Sequence, residues 1–94
     1  MKRVVITGIG IYSCIGTCKE EVREGLYTGR SGIGIDPART AYGYRSPLTG
    51  IVPRPDLKEA LTRRQRICLP EEGEYAYMAT REALQDAEID LDYL

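Results

Sequence analysis

An α/β fold is the class this 94-residue sequence predicts, and three features of its first third predict it. The run Val4-Val5-Ile6 is continuously apolar, not alternating, as in a strand covered on both faces of a parallel sheet. A loop studded with glycine follows, from Thr7 to Gly16. An amphipathic helix with its own start and stop signals comes next. The β-branched residues, and the glycines after them, favour a strand at Val4–Ile6, extending to Gly8, over a short buried helix.

The first helix carries the fullest set of signals. Thr17 is a good N-cap, and Glu20 three positions later completes a capping box. Cys18, Val22 and Leu26 recur every four residues and form one apolar stripe. Gly29 supplies a left-handed stop. Replacing Thr17 by Ala is expected to cost about 1 kcal/mol, the usual scale for a lost cap. A second, shorter helical turn starts at Asp36, with Pro37 at the first helical position and Gly43 as its end. Arg45 to Val52 reads as extended, and Pro47 and Gly50 make it an edge or an irregular connection. Pro53 and Pro55 end that segment.

Asp56 followed by Glu59 repeats the capping pattern, and Leu57, Ala60 and Leu61 can share one helix face. Arg63, Arg64 and Arg66 then fall at the end of that helix, where positive charge suits the dipole. The last helix spans about 70–87. Ala76, Ala79, Ala83 and Ala87 have helical spacing, with Met78 and Leu84 beside them, and such small residues permit close packing on a sheet. Gly73 in its first turns costs roughly 1 kcal/mol relative to alanine. No internal repeat or low-complexity stretch interrupts this order, which fits one small domain over residues 1–94.

Composition excludes several classes. The chain is 43% hydrophobic and 29% charged with a net charge of −1, which is not a disordered composition. The same balance argues against a general nucleic-acid binder. No apolar stretch approaches the ~18–20 residues of a membrane span. Met1-Lys2-Arg3 is like the start of a signal peptide, but Gly8, Gly10, Ser13 and Gly16 break the apolar stretch after it, so secretion is not predicted. Cys14, Cys18 and Cys68 make an odd count that favours free thiols in a reducing compartment. No histidine or further cysteine pair completes a zinc set, and the three cysteines read as small buried hydrophobes.

Few residues here carry chemistry. A strand, glycines and a helix raise the dinucleotide-binding fingerprint, but Gly-x-Gly-x-x-Gly needs glycine at position 13, where Ser13 stands. There is no Gly-Lys-Ser/Thr phosphate loop either, so a small nucleotide-binding protein is the weakest alternative. The chain contains no histidine, so no cysteine has an in-chain imidazole to make its thiolate. Glu71, Glu72 and Glu74 fit a solvated first helical turn. The run Thr62-Arg63-Arg64-Gln65-Arg66 fits either a solvated helix end or a docking patch for an acidic partner.

These segments, taken together, resemble the N-terminus of the β-ketoacyl-[acyl-carrier-protein] synthases, also called 3-oxoacyl-ACP synthases, closest to types I and II. The resemblance rests on MKRVVITGIGIYSCIG and on the helix that runs out through Tyr27-Thr28-Gly29-Arg30-Ser31-Gly32-Ile33. Tyr44-Arg45-Ser46, the basic segment after Leu61, and Tyr75-Ala76-Tyr77-Met78-Ala79 with Ala83 and Asp86-Ala87 continue it. It implies a thiolase-like fold of α/β/α/β/α layers, of which only the N-terminal part is present. It further implies a cytoplasmic acyltransferase of fatty-acid biosynthesis, homodimeric in its full-length form, needing no metal or nucleotide cofactor. An active-site cysteine there takes an acyl group from acyl carrier protein, and two histidines assist decarboxylative condensation with malonyl carrier protein. Those three residues lie beyond the matched region, so no catalytic residue is carried over, and Cys14 stands where the family often has a small polar residue. Arg45, Arg63 and Arg64 match positions where the family meets the acidic carrier. Arg66 joins them as a candidate although it is offset by one residue from the pattern. Glu88 departs from the family, which commonly has glycine after Asp-Ala. The expectation is thus a gene fragment or truncated chain, without catalytic competence, that is poorly stable or self-associating alone. A non-catalytic carrier-docking module is the rival reading.

Overall fold

A computed structural model describes residues 1–93. Its helices are α1 (Lys19–Thr28), α2 (Pro37–Ala41), α3 (Arg63–Ile67) and α4 (Glu71–Asp86), with a 3-10 turn at Leu91–Tyr93. Its strands are β1 (Ile33–Ile35) and β2 (Leu48–Gly50), which pair antiparallel with Ile33 opposite Gly50 and Ile35 opposite Leu48. Two further backbone bonds, Asp36 N–H to Pro47 O and Ile51 N–H to Gly32 O, extend this ribbon at both ends. Strand β2 lies within the predicted extended stretch Arg45–Val52, while β1, only three residues long, was not predicted.

The strand expected at Val4–Ile6 does not form. Val4, Val5 and Ile6 are 96%, 72% and 85% exposed, and no described strand lies beside them to complete a ladder. A strand is a property of a pair, so an apolar run without a neighbour stays unpaired. The glycines after it have a different use. A Cβ at Gly10 would lie 1.7 Å from the Ala79 carbonyl oxygen, and one at Gly8 would lie 2.4 Å from that of Ala83. The chain at 8–11 therefore presses directly on the alanine face of α4. Two carboxylates one turn apart on α4 fasten it there. Asp86 accepts from the Ile9 N–H (3.0 Å), and Glu82 accepts from the Ile11 N–H (3.1 Å) and the Lys19 N–H (3.0 Å). Lys19 Nζ closes the clasp on Asp86 at 2.5 Å, so α1 is joined to α4 through side chains.

Helix α1 starts one residue later than the Thr17 cap predicts. Cys18 is the N-cap and makes no side-chain cap bond. Thr17 instead gives its N–H (2.8 Å) and its hydroxyl (3.1 Å) to Glu21, not Glu20. Gly29 ends the helix in the left-handed conformation, as expected. Helix α2 follows its signals, with the Asp36 carboxylate accepting the Ala38 N–H and Pro37 in the first position. The helix expected after Asp56 is reduced to one turn: Asp56 accepts from the Lys58 N–H and Leu61 N–H reaches Leu57 O. One turn fixes several dihedrals for a single hydrogen bond, and Thr62 then restarts the helical path with a cap of its own.

Helix α4 matches its prediction closely, with Pro70 and Ala87 as its caps. It closes in a Schellman motif, where Glu88 N–H bonds Gln85 O and Ile89 N–H bonds Leu84 O. Glu88 occupies the left-handed position at φ 55°, which glycine fills more easily. Gly73 is filled over by Leu69 and Pro70.

The core is small. Val22 and Leu57 are the buried hydrophobic residues, at 8% and 4% exposure. Accessible surface is 8010 Å2, against about 5,400 Å2 for a folded chain of this mass. The radius of gyration is 16.6 Å, where about 12 Å is usual for this length. The α1 stripe shows the same shortfall, because Val22 is buried while Leu26 is 70% exposed. The cysteines are free; Cys14 and Cys18 are half-buried, but Cys68 is exposed, contrary to its expected burial. Cys14 packs its sulfur against Gly32 and Gly50, the glycines flanking and ending the two-stranded ribbon.

Candidate functional site

The basic run lies on α3, not at the end of a preceding helix. Thr62 and Gln65 build a full capping box: Thr62 Oγ1 accepts the Gln65 N–H at 3.3 Å, and Gln65 Oε1 accepts the Thr62 N–H at 2.9 Å. The Thr-x-x-Gln pattern is visible in the sequence and marks this start. The cap holds Arg63 and Arg64 at the first two helical positions, both exposed. Neither has an ion-pair partner among the described residues, where the two pairs are Lys19–Asp86 and Arg54–Glu74. Arg63 shares a helix face with Ile67, four residues on, which is 73% exposed. Free guanidinium charge beside an apolar side chain is the surface an acidic amphipathic partner fits.

Arg66 differs from its neighbours. It is half-buried, and its Nε is enclosed without a hydrogen-bond partner. Arg45 is exposed in the connection between α2 and β2, and no hydrogen bond or ion pair among the described residues links it to α3. Its loop is held by a residue the sequence did not single out. Arg39 Nε donates to Ser46 O at 3.2 Å, and its guanidinium lies 4.7 Å over the Tyr44 ring. The structure thus brings Arg63 and Arg64 together, turns Arg66 partly inward and leaves Arg45 on a separate, braced loop.

A second polar cluster supports α4 nearer its N-terminal end. Arg54 grips Glu74 through two bonds, at 2.9 and 3.3 Å, and Glu74 is buried. That hydrogen bond holds the Glu74 carboxyl below its ordinary range. Tyr12 stacks on Tyr75 with centroids 5.6 Å apart and donates its hydroxyl to Pro53 O. Tyr75 O–H donates to Glu71 at 2.5 Å, and chiefly for that reason its pKa is pushed up to about 12. A cleft of about 620 Å3 between α4 and residues 88–91, lined by Tyr77, Leu84, Ile89 and Leu91, contains none of the four arginines. Among the described residues no group of His, Cys, Asp and Glu is placed to hold a metal, and no helix is long and apolar enough to cross a membrane.

No protein-family model matches the chain. Curated sequences do. It is 39% identical over 93 residues to 3-oxoacyl-[acyl-carrier-protein] synthase 1 of Buchnera aphidicola from Acyrthosiphon pisum, covering 99% of this chain and 23% of that protein. The chain is homologous to a segment of the 3-oxoacyl-[acyl-carrier-protein] synthases. The synthase 1 of Haemophilus influenzae is also 39% identical, over 87 residues, 93% of this chain and 21% of the relative. Synthase 2 of Staphylococcus aureus is 30% identical over 91 residues, 97% of this chain and 22% of the relative. The chain thus spans about a fifth of the length of the synthases it matches. The names of these relatives are those of the family that the sequence resembles.

Proposed function

We propose that this chain is the N-terminal segment of a thiolase-like condensing enzyme, contributing structure and carrier-protein contact but not the chemistry. The parent reaction is decarboxylative condensation of an acyl group with malonyl carrier protein. The observation that carries this reading is similarity running through 99% of the chain while covering under a quarter of the synthase. The residues support the division of labour. The chain has no histidine to assist decarboxylation. Its cysteines are free: Cys14 serves packing against the ribbon, Cys18 stands at the head of α1, and Cys68 is exposed at the end of α3. The uncovered Val4–Ile6 run and the half-covered α1 stripe are the surfaces on which further layers of such a fold would rest.

Arg63 and Arg64 are the carrier-docking residues in this reading, with Arg45 as a flanking contact and Arg66 as a minor one. Their exposure without ion-pair partners among the described residues favours it, because a carrier carboxylate then displaces only water. The test is titration of isotope-labelled acidic acyl carrier protein with this chain, followed by NMR. Shifts on an acidic helix of the carrier, abolished by Arg63→Glu with Arg64→Glu, are expected. Unshifted carrier resonances would refute the docking role. In the same preparation, condensation of acyl and malonyl carrier protein is expected to be absent, and turnover would refute the structural one.

A further inference from the structure

We infer that Arg54 and Glu74 are positioning residues for the carrier-facing arginines: their ion pair closes residues 55–70 into a loop on α4 and so sets where Arg63 and Arg64 stand. The inference rests on the docking role given to those two arginines and adds the residues that hold them in place. The closure is double. Arg54 meets Glu74 through two bonds, Nε to Oε2 at 2.9 Å and Nη2 to Oε1 at 3.3 Å, a forked geometry that fixes orientation as well as distance. The adjacent residues are joined through Tyr12, whose hydroxyl donates to Pro53 O at 2.6 Å while its ring stacks on Tyr75. Successive residues 53 and 54 are thus tied to successive residues 74 and 75 near the head of α4. The chain between them leaves that point and returns to it. Helix α3 runs into α4 through Cys68, Leu69 and Pro70 alone, and Leu69 and Pro70 pack over Gly73.

The contents of the loop explain why it needs a closure. Leu57 is its buried anchor. Helix α3 has five residues, too few to hold a place by helical stability alone. Arg66 pulls the loop open, because its Nε is enclosed without a partner, a cost escaped when the loop lifts and water reaches the guanidinium. Glu74 works the other way. It is buried, so parting from Arg54 strands a carboxylate with poor access to water. An open loop scatters Arg63 and Arg64 over many positions, and a carrier then binds only the fraction correctly placed.

The test titrates isotope-labelled acyl carrier protein with the full chain and its variants, with backbone NMR relaxation of the chain read beside it. Glu74→Gln removes the ion pair and frees the Arg54 charge. Charge alone would make the carrier bind this variant more tightly. Positioning makes it bind about 3–10-fold more weakly, the drop when between about a third and a tenth of the molecules keep a competent loop. Arg54→Lys keeps the charge without the fork and should fall between, while Arg54→Glu with Glu74→Arg should restore binding. Glu24→Gln, on the exposed face of α1, changes the net charge equally and should leave affinity unchanged. Backbone order at residues 55–70 should fall in Glu74→Gln while that of α1 holds. Binding by Glu74→Gln as tight as or tighter than the unmodified chain's, a charge swap no better than Glu74→Gln, or undiminished order at 55–70 would overturn the inference and leave the docking role standing. Unshifted carrier resonances with the unmodified chain would remove the docking role instead, and the order of 55–70 in Glu74→Gln then decides the closure alone.

Discussion

Glu88→Gly tests the local physics of α4 most sharply. Glu88 holds φ 55° while its N–H and that of Ile89 close the Schellman motif on Gln85 and Leu84. A non-glycine residue in the left-handed region costs roughly 1–2 kcal/mol. Glycine removes that cost but adds roughly 0.5–1 kcal/mol of chain entropy. The net gain is about 0.5–1 kcal/mol. Loss of the carboxylate from the negative end of the helix dipole is a separate gain, and Glu88→Gln isolates it because glutamine keeps the backbone strain. The comparison of interest is thus glycine against glutamine. Amide hydrogen exchange reads it without requiring cooperative unfolding, since the bonded amides at 87, 88 and 89 report opening of the last turn. Their protection should be about 2–5-fold higher in the glycine variant than in the glutamine variant, the ratio that 0.5–1 kcal/mol gives. Equal protection in the two, or less in the glycine variant, would refute the assignment of Glu88 as a strained stop.

Other outcomes follow from the same geometry. Gly10→Ala forces a methyl into the Ala79 carbonyl, so protection of the Ile9 and Ile11 amides should drop by an amount equivalent to about 1–3 kcal/mol, the scale of overpacking. Thr62→Ala breaks the α3 capping box and should cost about 1 kcal/mol of local helix stability, read by exchange at Gln65 and Arg66. Asp86 has its pKa lowered, first by the Lys19 hydrogen bond and then by the Ile9 amide. A carboxyl depressed in the folded state contributes stability that is complete above its ordinary value of about 4 and is lost as pH falls through the folded value. The Ile9 amide should therefore lose protection on acidification below about pH 4, and Asp86→Asn should remove that dependence. Tyr75 should ionise near pH 12, later than the ordinary tyrosine, in an ultraviolet titration, and Glu71→Gln should bring it earlier.

What the sequence revealed follows a physical line between local and non-local causes. The Gly29 stop, the Asp36-Pro37 start and the span of α4 depend on residues within a turn of one another, and all three were legible. The shift from Thr17 to Cys18 at the head of α1 is a one-residue matter of which carboxylate reaches back, Glu20 or Glu21. Val4–Ile6 was read as a strand from its own residues, but the neighbour that would make it one is not in this chain's described residues. The converse holds for β1, whose three residues form a strand only because β2 lies beside them. In the candidate site, Arg63 and Arg64 were found from charge alone. Their placement at the start of α3 required reading Thr62 with Gln65 as a pair, and the bracing of the Arg45 loop by Arg39 spans a fold-back that no local pattern announces.

The central claim is that these 93 described residues leave more apolar surface open than they can cover among themselves. Small-angle X-ray scattering of the monomer at its dilution limit tests it most directly, with a hydrophobic dye and thermal melting on the same sample. The account predicts a radius of gyration near or above 16.6 Å, dye binding and a broad melt. A monomer near 12 Å that excludes the dye and melts in one sharp step would contradict it.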